Sequence, residues 1–286
     1  LNGNGHHVQG AGGTFSKGVD LWYGKNNVTI LNVKITSFYY GIYVELGGTY
    51  DKIFNCNITD NSWAGIYLDS SSNINATGNT FARNVAGMTL SSSPNNHING
   101  NTFTKDGLYV YASYGNEVAE NSVNGKPLVY LEKVSNQNVT DAGQVILVNC
   151  SDIRVKALNL SYTTVGLELW GTNNSKAIDN IIENCCNGIW LYGASNNSLT
   201  ENIVADNSIT GIYLGFASHN TLLRNNVTGS VEGIRLDSTS NDNIVTANNV
   251  SVNTQYGISV YGSLSNSIYH NNFIDNTQQV YITTGY

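Results

Sequence analysis

A four-residue pattern recurs along the chain: glycine, an apolar residue, any residue, an apolar residue. It appears as Gly18-Val19-Asp20-Leu21, Gly41-Ile42-Tyr43-Val44, Gly65-Ile66-Tyr67-Leu68, Gly87-Met88-Thr89-Leu90 and Gly107-Leu108-Tyr109-Val110. It resumes at Gly166-Leu167-Glu168-Leu169 and continues at Gly188, Gly211, Gly233 and Gly257, with about 20–24 residues between neighbouring copies. Between the tetrads lies a second element, Asn-x-apolar, as in Asn79-Thr80-Phe81, Asn101-Thr102-Phe103, Asn202-Ile203-Val204 and Asn248-Asn249-Val250. Such short runs of period-two alternation, punctuated by Gly, Asn and Ser, predict strands and turns. No window carries a helical period, and a leucine-rich repeat would need leucines at fixed positions that this chain lacks. The pattern predicts an all-β parallel β-helix of about 13 coils, each burying its apolar face only by stacking on the next.

Composition supports the stacking. The 286 residues include 44 asparagines but only two prolines, Pro94 and Pro127. Identical turns place asparagines above one another, where each tolerates αL geometry and bonds the next coil. Cys56, in Asn55-Cys56-Asn57-Ile58, falls where this ladder expects asparagine and reads as a small substitute. Charge narrows the partners: 13 Lys+Arg against 20 Asp+Glu give a net charge of −7. So acidic a chain does not suit nucleic acid, whose phosphates need neutralising. No run approaches the roughly 20 apolar residues of a membrane span. No secretory leader follows Leu1, which fits a mature form or a fragment.

The tetrad is lost between residues 124 and 150. Here four apolar residues in a row, Val145 to Val148, predict a strand covered on both faces. The polar stretch 132–142 is long enough to fold back over it. We read this region as an irregular junction within one β-helical domain spanning 1–286.

With these residues in view, the chain resembles the NosD-like right-handed β-helix proteins of the CASH group (carbohydrate-binding proteins and sugar hydrolases). The opening Leu1-Asn2-Gly3-Asn4-Gly5-His6 is similar to that family's first-coil signature, and the Gly-Ile-Tyr-Leu tetrads match its repeat. Gly125-Lys126-Pro127-Leu128-Val129-Tyr130 and Ala142-Gly143-Gln144-Val145 resemble the archaeal cell-surface version. The resemblance implies a single-stranded, right-handed solenoid. It also implies one of three roles: a carbohydrate-active enzyme, a surface adhesin or scaffold, or an accessory protein for copper-site assembly.

Alternation predicts which side chains face solvent. The third tetrad position and the one two residues later share the outer face. The first column reads Asp20, Tyr43, Tyr67, Thr89, Tyr109, then Glu168, Trp190, Tyr213, Arg235, Ser259. The second reads Trp22, Glu45, Asp69, Ser91, Tyr111, then Trp170, Tyr192, Asp237, Tyr261. An aromatic strip on a rigid support suits sugar rings, although Tyr and Trp also favour strands for their cross-strand packing. Glu45 and Asp69 fall on consecutive coils, so their carboxylates are expected about 5 Å apart, a spacing that suits Ca²⁺ or acid–base chemistry. No Arg or Lys is expected on the neighbouring outward positions. Glu168, Arg235 and Asp237 form a second set, but Glu168 lies about three coils from Arg235, too far for one site.

His6, His7, His97, His219 and His270 are scattered, and no His-x-His or Cys-x-x-Cys spacing predicts a metal centre. Cys56, Cys150, Cys185 and Cys186 read as buried thiols rather than a disulfide framework. The coils run to Val280-Tyr281-Ile282 without a cap, which predicts end-to-end self-association or flanking domains of a longer chain. The resulting reading is an extracellular or cell-surface scaffold, non-catalytic and without a firm cofactor. It would bind polysaccharide through Tyr43, Tyr67, Tyr109, Tyr111, Trp170, Trp190, Tyr192 and Tyr213. The alternatives are a lyase, hydrolase or epimerase acting on an acidic glycan, with Glu45 and Asp69 in its groove, and a metal-site accessory protein.

Overall fold

The computed structural model describes residues 1–283. It divides into two compact units, Leu1–Leu128 and Val129–Tyr286. All regular elements among the described residues are strands. Each unit is a three-sided parallel β-solenoid in which nearly every strand pairs with its counterpart one turn on.

In the first unit, one sheet carries the tetrads: Lys17–Leu21, Tyr40–Val44, Ala64–Asp69, Ala86–Ser91 and Leu108–Tyr111. A second holds Thr29–Leu31, Lys52–Phe54, Asn75–Thr77, His97–Asn99 and Glu117–Ala119. The third side runs from His7–Gln9 to Ser122–Val123. The second unit repeats the plan over seven turns, and its tetrad strands run from Val165–Trp170 to Gln278–Thr283. The chain thus has about twelve turns rather than the thirteen that its length suggests, because residues 124–150 do not all serve coils of the standard kind.

Register builds the interior by placing like upon like. Ile42 pairs with Ile66 and Ile66 with Met88. Ile58, Phe81 and Phe103 stack in the same way, the two rings 4.8 Å apart and 9° from parallel. In the second unit Leu167, Ile189, Ile212, Ile234 and Ile258 form one continuous fully buried row. Each such side chain contributes roughly 1.5–3 kcal/mol through burial.

Asparagine ladders satisfy the polar groups at the corners. The Asn202 backbone N–H and its Nδ2 both donate to Asn225 Oδ1, at 3.0 and 2.9 Å, and Nδ2 also donates to the Ala177 carbonyl at 3.0 Å. The same motif repeats from Asn180 through Asn248 to Asn271. Cys56 occupies the expected rung below Asn79, whose Oδ1 accepts its N–H at 3.0 Å. Cys150 and Cys185 hold equivalent rungs, donating their thiols to the Leu131 and Leu160 carbonyls. All three are buried free thiols, and Cys186 is half-buried.

Two buried corner positions in the first unit are carboxylic acids, Asp51, which accepts the Val28 N–H, and Asp106. The Asn84 N–H and Nδ2 donate to Asp106 Oδ2 at 3.1 and 2.8 Å, continuing the ladder from Asn61. Asp106 Oδ1 is buried without a hydrogen-bond partner. Burial pushes this carboxyl up to about 7, against the opposing effect of the Asn84 hydrogen bonds.

The break in the repeat has a local cause. Asn124 and Gly125 both have positive φ, 51° and 79°. They form a two-residue turn that sets Lys126 and Pro127 antiparallel to Val123 and Ser122. In the second unit, Val145 to Val148 are fully buried, as a strand covered on both faces requires. The stretch 132–142 does not simply fold back as a cover. Its Asn138–Val139 segment pairs with Arg154 and Val155 and starts one side of the solenoid.

Candidate functional site

The outer face of the first unit's tetrad sheet gathers the largest set of sequence-predicted residues, and a packing constraint decides what it presents. Gly41 and Ile42 are both buried, while Tyr40 and Tyr43 on either side are half-buried. A Cβ on Gly41 would lie 2.5 Å from the Gly65 carbonyl oxygen and 2.7 Å from Ile58 Cγ2. The glycine is therefore required by close approach, and two consecutive residues turn inward as at a bulge. On the first two tetrad strands the residue before the glycine consequently joins the outer face, which strict alternation would have turned inward. Lys17 and Tyr40 enter the site in this way.

Lys17 corrects the expectation that no base stands near Glu45. Its Nζ lies 3.0 Å from Asp20 Oδ2 and 3.6 Å from Glu45 Oε2. The same ammonium sits 4.2 Å from the Tyr43 ring centroid and 5.8 Å from that of Trp22. Glu45 and Asp69 do not act as an isolated pair, because each has its own partner. Tyr43 donates its hydroxyl to Asp69 Oδ2 at 3.1 Å, and Ser70 donates to Oδ1 at 3.1 Å. The Tyr43 and Tyr67 rings stack at 5.3 Å and 22°, with Tyr40 packed 4.8 and 5.1 Å from them. Trp22 stays 58 % exposed. At the sheet's margin Tyr39 stacks on Trp63, 6.1 Å apart and 7° from parallel. Burial, then the charges of Tyr39, Tyr67 and Asp69, pushes the Tyr40 phenol up to about 12. Tyr43 is raised further, by burial first and then by Asp69.

The remaining residues divide. Tyr109 is half-buried and Tyr111 exposed at the far turn of the first unit. In the second unit Trp190 stacks on Tyr213 at 3.9 Å and 17°, and Trp170 on Tyr192 at 4.4 Å and 8°. Four residues expected to face solvent are in fact buried: Thr89, Glu168, Trp170 and Ser259. Thr89 lies in register between the larger residues Tyr67 and Tyr109. Glu168 and Trp170 lie on the strand beside the doubly covered Gln144–Val148, which accounts for the 5 % exposure of Trp170. Ser259 points into hydrogen bonding with Glu232.

Register confirms that Glu168 and Arg235 are three turns apart. Arg235 instead binds residues of its own strand, Glu232 at 3.3 Å and Asp237 at 2.7 Å, and lies over the Tyr261 ring at 4.5 Å. Glu232, again the residue before a glycine, was missed from the sequence for the same reason as Lys17. Burial and the Asp237 charge push the Tyr213 phenol up to about 12.

Metal-ligand types are dispersed. No group of three or more His, Cys, Asp or Glu side chains converges among the described residues. His97 Nδ1 pairs with Glu117 Oε2 at 2.8 Å, and His7 Nε2 with Thr36 Oγ1 at 2.7 Å. The single methionine, Met88, is fully buried in the core.

A family profile described as "Periplasmic copper-binding protein (NosD)" matches residues 128–286, and one for a right-handed β-helix region matches residues 4–123. No curated protein matches the sequence. Several solved structures are similar to the chain at low identity and with TM-scores below 0.5. A double mutant of the periplasmic alginate epimerase AlgG is 16 % identical, with 87 % of this chain and 74 % of that one covered and a TM-score of 0.41. The A-module of an Azotobacter vinelandii mannuronan C-5 epimerase is 10 % identical, covering 94 % and 88 %, at 0.33. An alginate lyase from Paenibacillus sp. is 10 % identical, covering 96 % and 99 %, at 0.30. The copper in the first description does not fit the described residues: three of the four cysteines serve the ladders, and no three His, Cys, Asp or Glu side chains converge.

Proposed function

The chain belongs to the NosD family of right-handed β-helix proteins, and from that premise we propose that it is an extracellular glycan-binding scaffold whose tetrad sheet in the first unit holds the saccharide. The observation that carries this reading is the joining of stacked aromatic rings to hydrogen-bonding carboxylates on one rigid face. Tyr43 and Tyr67 supply apolar ring surface, Trp22 adds an exposed indole, and Asp20, Glu45 and Asp69 supply acceptors for sugar hydroxyls. Such a face needs no rearrangement to bind, because the stacked turns beneath it hold it in place.

Catalysis is not favoured by the same geometry. A general acid or base works best with a pKa near the ambient pH. Here Tyr40 is driven to about 12 and Tyr43 is raised further. Lys17 is already paired with two carboxylates of the same face. The test is retention of the purified chain in native gels containing individual polysaccharides, alongside an assay for new reducing ends or unsaturated uronates. Retention by at least one polymer is expected, with no turnover, and Trp22→Ala combined with Tyr43→Ala should abolish it. Retention unchanged in that double variant would place the binding surface elsewhere, and turnover would replace the scaffold reading with an enzymatic one.

A further inference from the structure

The charges on this face bear on which saccharide it accepts. The tetrad strands of the first unit carry a single basic residue, Lys17. Against it stand Asp20, Glu45 and Asp69. Two of these carboxylates already engage the ammonium, so Lys17 has its charge answered from within the protein. Its Nζ is enclosed further by the Tyr43 and Trp22 rings. Among the described residues Asp69 has no cationic partner; its oxygens accept from the hydroxyls of Tyr43 and Ser70. A ligand lying along the aromatic stack would therefore meet three carboxylates and one ammonium that is already paired.

We propose that the ligand of this face is a glycan without carboxylate or sulfate groups. This deepens the saccharide-binding reading and rests on it. Sugar hydroxyls donate hydrogen bonds to carboxylates, while the carbon–hydrogen face of the ring lies on the exposed Trp22 indole and along the outer edges of the Tyr43–Tyr67 stack. A uronate at the same place brings a further negative charge beside Asp69 and Glu45, and it has no hydroxyl-like donor on its carboxylate to offset the repulsion. The face thus discriminates by repulsion as well as by attraction.

The probes are a β-glucan, a mannan and a galactan on the neutral side, and alginate and polygalacturonate on the acidic side. Retention is compared at low ionic strength, with Ca²⁺ and with a chelator. Neutral polymers should retain the chain, and acidic ones should bind at least about tenfold more weakly. The variant Asp20→Asn with Asp69→Asn, checked for folding by circular dichroism, should gain retention by alginate, because Lys17 then faces only Glu45. Equal or stronger binding of the acidic polymers, whether or not Ca²⁺ is present, overturns the inference yet leaves a saccharide-binding protein. Binding to no polymer removes the saccharide reading itself, and the inference falls with it.

Discussion

Asp106 makes the stability of the first unit depend on pH in a direction opposite to that of most paired carboxylates. Its carboxyl is raised from 3.8 to about 7, chiefly by burial. The folded state therefore keeps the proton over a range in which the unfolded chain has lost it. Below about pH 4 both states are protonated and the contribution is fully present. Between about pH 4 and pH 7 the unfolded state alone ionises, and stability falls by about 1.4 kcal/mol per pH unit. Above about pH 7 both states are ionised and the loss levels off. Across that whole window the loss amounts to about 4 kcal/mol, an upper figure because water penetration and relaxation lessen the burial penalty. The ladder explains the preference for the neutral form. Asn84 donates twice to Oδ2, whereas Oδ1 stands where the neighbouring rungs place an amide Nδ2. A protonated oxygen can donate as that nitrogen does; a carboxylate cannot.

Asp106→Asn removes the titration and restores the donor. Urea denaturation followed by tryptophan fluorescence, for both proteins at pH 4.5, 6 and 8, measures the difference. Other ionisable groups largely cancel in that difference. The exception is Arg83, whose charge opposes the raised value and whose main partner is Asp60, at 2.6 Å. The variant should be within about 1 kcal/mol of the parent at pH 4.5 and more stable by about 2–4 kcal/mol at pH 8. A difference that does not change between pH 4.5 and pH 8, or a variant less stable at pH 8, would refute the reasoning.

Two further substitutions test the stacking itself. Gly41→Ala forces a methyl group against the Gly65 carbonyl and Ile58, and should cost about 2–4 kcal/mol, read as a lowered urea midpoint; a neutral result would mean that the inward double step is not tight. Asn202→Ala strands the Ala177 carbonyl and removes the Oδ1 that accepts from the Asn180 N–H and Nδ2, and should cost about 2–5 kcal/mol, with faster hydrogen exchange at the amides of the two adjoining turns.

The fold was legible because a solenoid repeats its instructions. A glycine tetrad every turn, with an asparagine between, states the period, the strand type and the corner chemistry many times over, and one irregular copy does not obscure the rest. Even Cys56 was readable as a rung, since the surrounding asparagines defined the rung. The hairpin at Asn124 and Gly125 was less visible. An Asn-Gly pair is a strong turn signal where it stands alone, but in this chain asparagine and glycine mark many corners, so this reversal looked like another turn.

The candidate site was legible only in part, and the missing part follows from the same glycine that made the fold readable. Alternation assigns outer and inner faces correctly at the second and fourth positions after Gly41, which is why Tyr43 and Glu45 were found. It fails one residue before, because the glycine has no side chain to show that it points inward. The bulge then turns Lys17, Tyr40 and Glu232 outward, and these are the residues that complete the charge pattern of each face. Without Lys17, Glu45 and Asp69 look like a bare acidic pair suited to calcium or catalysis. With it, the acidic residues become parts of a paired network in which the aromatic rings hold the remaining open surface. A repeat glycine whose Cβ would strike the core thus shifts the alternation of its strand by one residue, and at Gly18 and Gly233 the residue before it, Lys17 or Glu232, supplies an ion-pair partner that alternation hides.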